Sequence, residues 1–457
     1  MRWLRRGLGA VVAVGVTMVV GIGPAQGAAG DNPGALRAVS SASELAKLQL
    51  QKHVVRQTTL DTLDAAMGTT RTVQQVLDSA NHPMRDAADC ASTEQAALPV
   101  EPAAESAYCW DSGDATTQDW LPQSVTTSGD ADNDGGWGPN NNKIILAGWT
   151  QNGATTSTEM ARVAFIDAND PSAMAYRWVL LVVPLTGGTD YKSLKSHLGG
   201  MVWYQNKLYV TSYDGDTDHN VLYVFDIDHI LQATVNSTAV GKTSSGGWSA
   251  DGFQYVMPAI GSYSLTGGAC SATNDTSQPC FGSISLDRSS TPDSLVATEW
   301  FTSSGANGPA RVWRYDFAPG DGADAAWLTT DSAGYTDATQ AYETSAVGLQ
   351  GVISYRPSGA SQPNWYVDDA RGGVGQHGIL WRQNTSGAQA ASNCGTDSTY
   401  ACWGQHTEGM SYWANTGRVW TLTEWAANSA AKWVPPAIPQ RVLFSVPLTA
   451  IDSSMGG

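Results

Sequence analysis

The sequence predicts an all-β protein built as a five-bladed β-propeller, and three recurring strand patterns carry that prediction. Each pattern occurs five times, and the three follow one another in a fixed order. The first segments are residues 123–125, 199–201, 254–256, 350–352 and 408–410. The second are residues 143–149, 207–213, 294–300, 364–370 and 418–425, and the third are residues 162–165, 221–225, 311–315, 378–381 and 441–444. Repeated sheets of this kind bury their faces against each other and close into a ring. A six-bladed ring, with a degenerate repeat at 326–330, is the alternative.

Residues 30–107 differ from the repeats and predict a small N-terminal extension that is helical or partly disordered. Ser41 and Glu44 have capping-box spacing, and Leu45 and Leu48 follow at helical spacing. Prolines near residue 100 indicate a linker. The propeller is therefore expected to span residues 108–457.

The first 29 residues have the pattern of an export signal. Three arginines precede an apolar stretch at residues 8–22, and small residues follow at 25–29. The apolar stretch is short for a membrane span, and no later segment approaches about 18 uninterrupted apolar residues. We therefore expect a secreted, extracellular protein with no membrane attachment after the signal is removed.

The charge of the chain excludes a nucleic-acid partner. Loss of the signal removes three arginines and no acidic residue, which takes the net charge from −17 to −20. An anionic surface without a basic run repels nucleic acid. The chain also has 18 tryptophans, most of which we expect between blades, and we expect a monomer.

Six cysteines follow the predicted signal, and an even number in an exported chain indicates disulfides. Their placement favours three local pairs: Cys90 with Cys109, Cys270 with Cys280, and Cys394 with Cys402. A metal site is the alternative, but the chain has no Cys-x-x-Cys pair to support it.

The first recurring segment also predicts a ring of polar groups at the mouth of a central channel. Gln123, Gln254 and Gln350 stand where Glu408 stands, and His197 and His406 each lie two positions before a member of the column. Residues i and i+2 of a strand share a face, so His406 and Glu408 should point the same way.

Two interpretations of this column remain open. In one, His406 and Glu408 transfer protons with help from His197, and Gln254, Gln350 and Gln123 bind substrate. A second carboxylate would then come from Glu343, Asp251 or Asp368. In the other, the glutamines hydrogen-bond the backbone and close the sheets.

A calcium loop is the predicted metal site. Asp130, Asp132 and Asp134 alternate before Gly135, and alternate carboxylates on a tight turn converge on one hard cation. Asn141 replaces the bidentate glutamate of an EF-hand, and a solvated acidic turn is the alternative. Residues 214–218 form a weaker second candidate. No motif indicates an organic cofactor.

Residues 119–132, 176–182 and 196–204 resemble a family of exported bacterial proteins from high-GC genomes. The resemblance covers about residues 110–450, and it implies export and a propeller-like fold but no catalytic residues.

Taken with the polar column, the sequence predicts a secreted propeller that acts on or binds a polysaccharide or oligosaccharide at its channel mouth. If it is an enzyme, it is a glycoside hydrolase or polysaccharide lyase. The alternative is a non-catalytic, calcium-stabilised binding or interaction scaffold.

Overall fold

The computed structural model describes residues 32–68, 70–153, 156, 159–212, 219–272, 278–301, 309–320, 324–370, 372–394, 399–427 and 437–456. The protein is mostly β, with 43% of residues in strands and 11% in helices. Eight strands form a nearly closed, barrel-like sheet. The predicted signal peptide and the acidic residues 214–218 lie outside the described residues. None of the helices in the described ranges is long and apolar enough to cross a membrane.

The N-terminal segment contains short elements that confirm only part of the predicted helical pattern. They are β1 Arg37–Ala38, α1 Ala42–Ala46, β2 Leu50–Val54, α2 Gln57–Met67, α3 Val73–Leu77, β3 His82–Pro83, β4 Arg85–Asp86, α4 Ser92–Gln95, β5 Ser106–Cys109 and α5 Ser112–Thr116. The predicted capping box of α1 does not form, because the Ser41 side chain makes no cap hydrogen bond and Glu44 pairs with Lys47. A capping box forms instead at α3, between Thr72 and Gln75.

The remaining elements follow in chain order. They are β6 Trp120–Thr127, α6 Ser128–Ala131, β7 Ile144–Gln151, β8 Ala161–Asp167, β9 Ala175–Pro184, β10 Tyr191–Ser193, β11 Met201–Tyr204, β12 Lys207–Thr211, β13 Asn220–Asp226, β14 Leu231–Gln232, β15 Val240–Lys242, β16 Trp248–Ala250, β17 Tyr255–Leu265, β18 Phe281–Asp287, β19 Ser294–Glu299, β20 Ala310–Asp316, β21 Tyr335–Thr336, β22 Gln340–Thr344, β23 Leu349–Tyr355, β24 Asn364–Asp369, β25 Ile379–Asn384, β26 Gly387–Gln389, β27 Thr407–Trp413, β28 Arg418–Thr423, β29 Val442–Pro447 and α7 Leu448–Ser454.

These strands form five antiparallel arrays of four, which we name A to E. Array A is β6-β7-β8-β9, array B is β11-β12-β13-β17, array C is β18-β19-β20-β22, array D is β23-β24-β25-β26, and array E is β27-β28-β29-β5. The first half of β17 also pairs in parallel with β9, which joins arrays A and B into the barrel-like sheet.

The second and third sequence patterns correspond to the second and third strands of all five arrays. The first pattern correctly predicts the first strand of arrays A, B, D and E, but its prediction for array C is wrong. Residues 254–256 lead into β17, the fourth strand of array B, where the backbone pairs with β13 and β9. The first strand of array C is β18, which begins after the Cys270–Cys280 loop. Gln254 is therefore not in the polar column. In array C, the position that was predicted for Gln254 is occupied by Gly282.

Each array buries both of its faces, and residues alternate between two hydrophobic cores. On β7, Ile144 and Leu146 belong to the core shared with array B, whereas Ile145, Ala147 and Trp149 belong to the core shared with array E. Three further cores lie between arrays B and C, C and D, and D and E. The five cores therefore follow the arrays in cyclic order. Buried tryptophans such as Trp149 confirm that this residue type fills the spaces between arrays.

The five first strands also contact one another in the same cyclic order. These strands run in the same direction. The start of each first strand lies next to the start of its neighbour, and the end of each lies next to the end of its neighbour. Gly199, before β11, lies against Gly282 of β18, and the Trp203 amide donates to Thr126 Oγ1 at 3.0 Å. Glycines make this approach possible. A Cβ on Gly200 would lie 2.1 Å from the Ile284 backbone nitrogen.

The N-terminal segment passes round all five arrays as a belt, residues 32–109. It contacts array D through the Leu36 amide, which donates to the Asn384 carbonyl at 2.9 Å. It then adds β1 to array C, β2 to array B and β3 to array A. It ends by supplying β5 as the fourth strand of array E, with β4 outside it. The belt thus contributes strands to arrays A, B, C and E, in addition to its short helices.

The three predicted disulfides are confirmed. Cys90–Cys109 lies within the belt, Cys270–Cys280 closes the loop between arrays B and C, and Cys394–Cys402 closes the loop between arrays D and E. All six cysteines are paired. Each bridge spans few residues, which is why sequence proximity was sufficient to predict the pairing.

The glycine packing predicts a large difference between two Gly→Ala substitutions. Gly200→Ala should lower the free energy of unfolding by about 3 kcal/mol or more, since the new methyl group collides with backbone. Gly387→Ala, with no atom within 4 Å of the new Cβ, is the control and should change it by less than about 0.5 kcal/mol. Urea denaturation of both variants measures the difference, and equal stability would contradict the assigned packing.

Candidate functional site

The predicted polar column is present in part, and it lies where the first strands begin. Gln123, Gln350 and Glu408 lie in β6, β23 and β27, next to an irregularity in the strand register. Glu408 and Gln123 are buried, whereas Gln350 is half-buried. Gln254 lies elsewhere, on the outer side of the molecule, where it contacts Arg177 and the Tyr255 hydroxyl.

The prediction that His406 and Glu408 share one face of a strand requires both residues to be in extended structure, and only Glu408 is. His406 precedes β27 and has a φ of 46°, so it is outside extended structure. Its ring is buried and stacks on Trp425, with 3.3 Å between ring centroids, and its Nε2 lies 3.0 Å from the Gly373 carbonyl. The equivalent residue in array B, His197, is exposed. The two histidines thus have different environments.

A buried carboxylate that the sequence analysis missed stands beside this column. Glu424 Oε1 accepts from Gln123 Nε2 at 3.0 Å, and Oε2 accepts from Trp425 Nε1 at 2.7 Å. Arg441 Nε donates to the Glu424 carbonyl at 2.7 Å, and burial lowers the pKa of Arg441 to about 9. Gln123 therefore joins arrays A and E, but through the Glu424 side chain and not through the backbone bond that the structural interpretation predicted.

A short repeat in the sequence could have revealed Glu424. Thr-Glu-Trp occurs at 298–300 and at 423–425, in each case at the end of a second strand. The first copy supplies Glu299, whose carboxylate accepts from Arg311 Nε at 2.6 Å and Nη2 at 2.5 Å. In both arrays an arginine at the start of the third strand contacts this glutamate, which indicates a shared structural role.

Three carboxylates were predicted as possible partners for Glu408, and the structure places them in or beside three different arrays. Glu343 pairs with Arg37 of the belt at 2.9 Å, and Asp251 lies in the turn before β17. Asp368 is the one near the column, on β24 opposite Gly351. Its side chain is fully buried, and neither oxygen has a hydrogen-bond partner among the described residues. Burial raises the pKa of Asp368 well above its usual range, and the neighbouring charge of Asp369 raises it further.

The predicted calcium loop does not gather its three carboxylates. Asp130 lies on α6 and turns inward, where its Oδ2 accepts from Thr126 at 2.7 Å and from Ser411 at 2.6 Å. Burial raises the pKa of Asp130 despite these bonds. Asp132 and Asp134 are exposed. Among the described residues, the potential metal-binding groups do not include this trio. Calcium binding stays a prediction.

A cluster of His82, Asp111 and Asp114 joins the belt to array A. Their ligand atoms lie within 4.8 Å of one another, as a metal would need. Protein donors already occupy Asp114, since Arg162 Nη2 donates to Oδ1 at 2.8 Å and the Tyr176 hydroxyl donates to Oδ2 at 2.7 Å. His82 Nδ1 contacts Asp111 Oδ2 directly. We therefore assign a structural role to this cluster.

The candidate binding site is a cleft of about 460 Å³ at the other end of the first strands, where α6 crosses their ends. We name it the Arg288 cleft. Its lining residues are Ala131, Asp132, Asn133, Trp137, Tyr204, Gln205, Asn206, Arg288 and Asp293. They come from α6 and the loop after it, and from the hairpins that join the first two strands of arrays B and C. Only Asp132 belongs to a predicted site.

Arg288 organises the cleft. Its Nη1 donates to Asn133 Oδ1 at 2.7 Å and to Asp293 Oδ2 at 3.0 Å. Its Nε and Nη2 donate to the carbonyls of Gly129 and Asp130, at 3.3 and 2.5 Å. The side chain therefore ties α6 of array A to the hairpin of array C.

Two aromatic residues form the apolar part of the cleft. The Tyr204 ring stacks on Phe317, with 4.0 Å between centroids, and lies 5.6 Å from the Arg288 guanidinium. Burial, followed by the charge of Asp293, raises the pKa of Tyr204 to about 12. Trp137 packs on Trp203, with 5.1 Å between centroids, and remains partly exposed. Tyr204 thus forms a well-packed wall of the cleft, and the Trp137 indole is the aromatic group that a ligand can reach.

Comparisons with known proteins add no family. No protein-family model matches the chain, and no curated protein is significantly similar to it. The resemblance to exported bacterial proteins therefore stays a prediction.

Asp368 predicts an unusual pH dependence of stability. Because its pKa is raised in the folded state, its contribution to stability is complete at pH values below the unfolded pKa and is lost as the pH rises through the folded pKa. Asp368→Asn cannot ionise, so its stability relative to the native protein should increase from pH 4 to pH 8, by about 1–3 kcal/mol. Chemical denaturation at the two pH values measures this. The exposed Asp61→Asn is the control, and a parallel response of both variants would contradict the prediction.

Proposed function

We propose that the protein is a secreted five-bladed β-propeller that binds carbohydrate in the Arg288 cleft. Five four-stranded arrays, cores between successive arrays and a cyclic contact of the first strands support the propeller. The fourth strand of the last array comes from the belt, as expected for a ring closed by its own N-terminal strand. The three disulfides support an oxidising compartment.

The lining of the Arg288 cleft carries the carbohydrate proposal. Small-molecule sites combine apolar surface with a few well-placed polar groups. Here the partly exposed Trp137 offers aromatic surface for the C–H face of a sugar ring, and the largely buried Tyr204 forms part of the apolar wall. Asn133, Gln205 and Asp132 offer amide and carboxylate groups for the hydroxyls. Arg288 holds two of these elements in place, so little ordering is needed on binding.

The cleft differs from the channel mouth in what a ligand could reach. At the mouth, His406 and Glu408 are buried and Gln123 is committed to Glu424. At the cleft, Asp132 and Asn133 are exposed and Trp137 is partly exposed. We therefore assign carbohydrate recognition to the cleft rather than to the predicted column.

Hydrolysis of the bound carbohydrate is a second candidate function, favoured by the state of Asp293. Burial raises the pKa of Asp293, against the opposing charge of Arg288. A carboxyl that keeps its proton to higher pH can serve as a general acid, and Asp132 is a second carboxylate in the same cleft.

The binding proposal predicts that Trp137→Ala weakens carbohydrate binding at least about tenfold, or about 1.4 kcal/mol, because stacking surface is lost. A glycan array with the mature protein identifies the ligand, and calorimetry measures the affinity. Tyr335→Ala, which removes an exposed aromatic outside the cleft, is the control. Melting curves establish that both variants fold. Unchanged binding by the Trp137 variant would contradict the proposed site, and an array without any ligand would favour the scaffold alternative.

The hydrolysis candidate predicts that Asp293→Asn reduces product release at least about 100-fold while binding stays within a few-fold. Activity of the native protein should fall as the pH rises through the pKa of Asp293, since the acid then loses its proton. Mass spectrometry of products from the array ligand measures release. The exposed Asp134→Asn is the control, and full release by the Asp293 variant would exclude this role.

A further inference from the structure

The Arg288 cleft has more negative than positive charge. Its charged lining residues are Asp132, Asp293 and Arg288. The single arginine is paired with Asp293 at 3.0 Å, and Asp132 is exposed beside them. The chain as a whole has a formal net charge of −17. Both the local and the overall charge therefore repel an anionic ligand.

The arginine is also unable to receive an anion in the usual geometry. Carboxylates and sulfates are bound by two parallel N–H groups of one guanidinium. All three nitrogens of Arg288 already donate to protein oxygens, on Gly129, Asp130, Asn133 and Asp293. Arg288 therefore acts as a fixed part of the wall and does not offer a bidentate pair to a ligand.

The other polar groups favour a ligand rich in hydroxyl donors. The Asn206 amide is engaged on both sides, since its Nδ2 donates to Asp226 at 3.2 Å and its Oδ1 accepts from Lys207 at 3.1 Å. The carboxylate of Asp132 can only accept hydrogen bonds when ionised, and Gln205 carries an amide that donates and accepts. The Asn133 amide oxygen already accepts from Arg288, so Asn133 chiefly offers its amide N–H groups. This set matches sugar hydroxyls, which both donate and accept.

We infer that the Arg288 cleft selects uncharged oligosaccharides over those that carry carboxylate or sulfate groups. This inference rests on the proposed function, because it names the ligand class of the same site. The selectivity comes from the exposed, unpaired charge of Asp132 and from the commitment of Arg288 to the protein. At a separation of a few ångströms from one unpaired carboxylate, a ligand anion should lose about tenfold in affinity at low salt.

The test uses pairs of oligosaccharides with the same backbone that differ only at C6, which is a hydroxymethyl group in one member and a carboxylate in the other. Gluco-, galacto- and manno-configured pairs are titrated into the mature protein by calorimetry, at 20 and 300 mM sodium chloride. For any pair that binds, we expect the neutral member to have about tenfold higher affinity than the carboxylated member at 20 mM salt. This difference in affinity should become smaller at 300 mM salt.

Asp132→Asn provides the matched variant. It removes the exposed negative charge and keeps the shape of the side chain. Because Asp132 also contacts hydroxyls in the proposed site, the readout is the ratio of the two affinities, which should shift several-fold towards the carboxylated member. Asp331→Asn, which changes the same charge in a surface turn outside the cleft, should leave both affinities unchanged.

The outcomes separate this inference from the function on which it rests. Equal or tighter binding of the carboxylated members would overturn the inference and leave carbohydrate binding intact. A salt-independent preference that Asp132→Asn does not alter would also overturn it, since the charge would then not be the cause. Binding of neither kind of oligosaccharide, together with a glycan array without any ligand, would overturn the proposed function itself.

Discussion

The close approach of the five first strands is the constraint on which the rest of the structure depends. Where Gly199 meets Gly282 and where Gly200 meets Ile284, an added Cβ would lie 2.1–2.2 Å from backbone atoms. The approach at Gly409 is less close, since its Cβ would be 3.1 Å from the Ser124 Cα. Strands this close leave little room for side chains at the points of approach, and the apolar residues of each array pack against the neighbouring arrays. The five inter-array cores follow from this geometry.

Polar side chains then hold the arrays together where apolar packing cannot. Asp130 receives hydrogen bonds from Thr126 of array A and Ser411 of array E, and Gln123 of array A donates to Glu424 of array E. Such groups are stable in the interior only when they are paired. The bonds of Asp130 hold α6 across the strand ends, and α6 in turn forms one side of the Arg288 cleft. Binding surface and scaffold are thus connected through α6.

The candidate cleft depends on tertiary structure to a degree that no local pattern could reveal. Trp137 follows the acidic loop of array A, Tyr204 ends a strand of array B, and Arg288 and Asp293 flank a hairpin turn of array C. More than 150 residues separate the first of these from the last. The repeated column in the sequence predicts instead that His406 and Glu408 share one face, which holds only for an uninterrupted strand. The left-handed backbone at His406 breaks that condition.

The sequence by itself determined the strand content, the second and third strands of every array, and the three disulfides. These features depend on local information: alternating apolar residues that are buried on both faces, and cysteines close together in the chain. Tertiary structure alone decided that β18 rather than residues 254–256 begins array C, that Asp130 turns inward, and that the belt supplies strands to the arrays. Each of these depends on which backbone edge or polar group lies nearby after folding, and a pattern within a few residues does not contain that information.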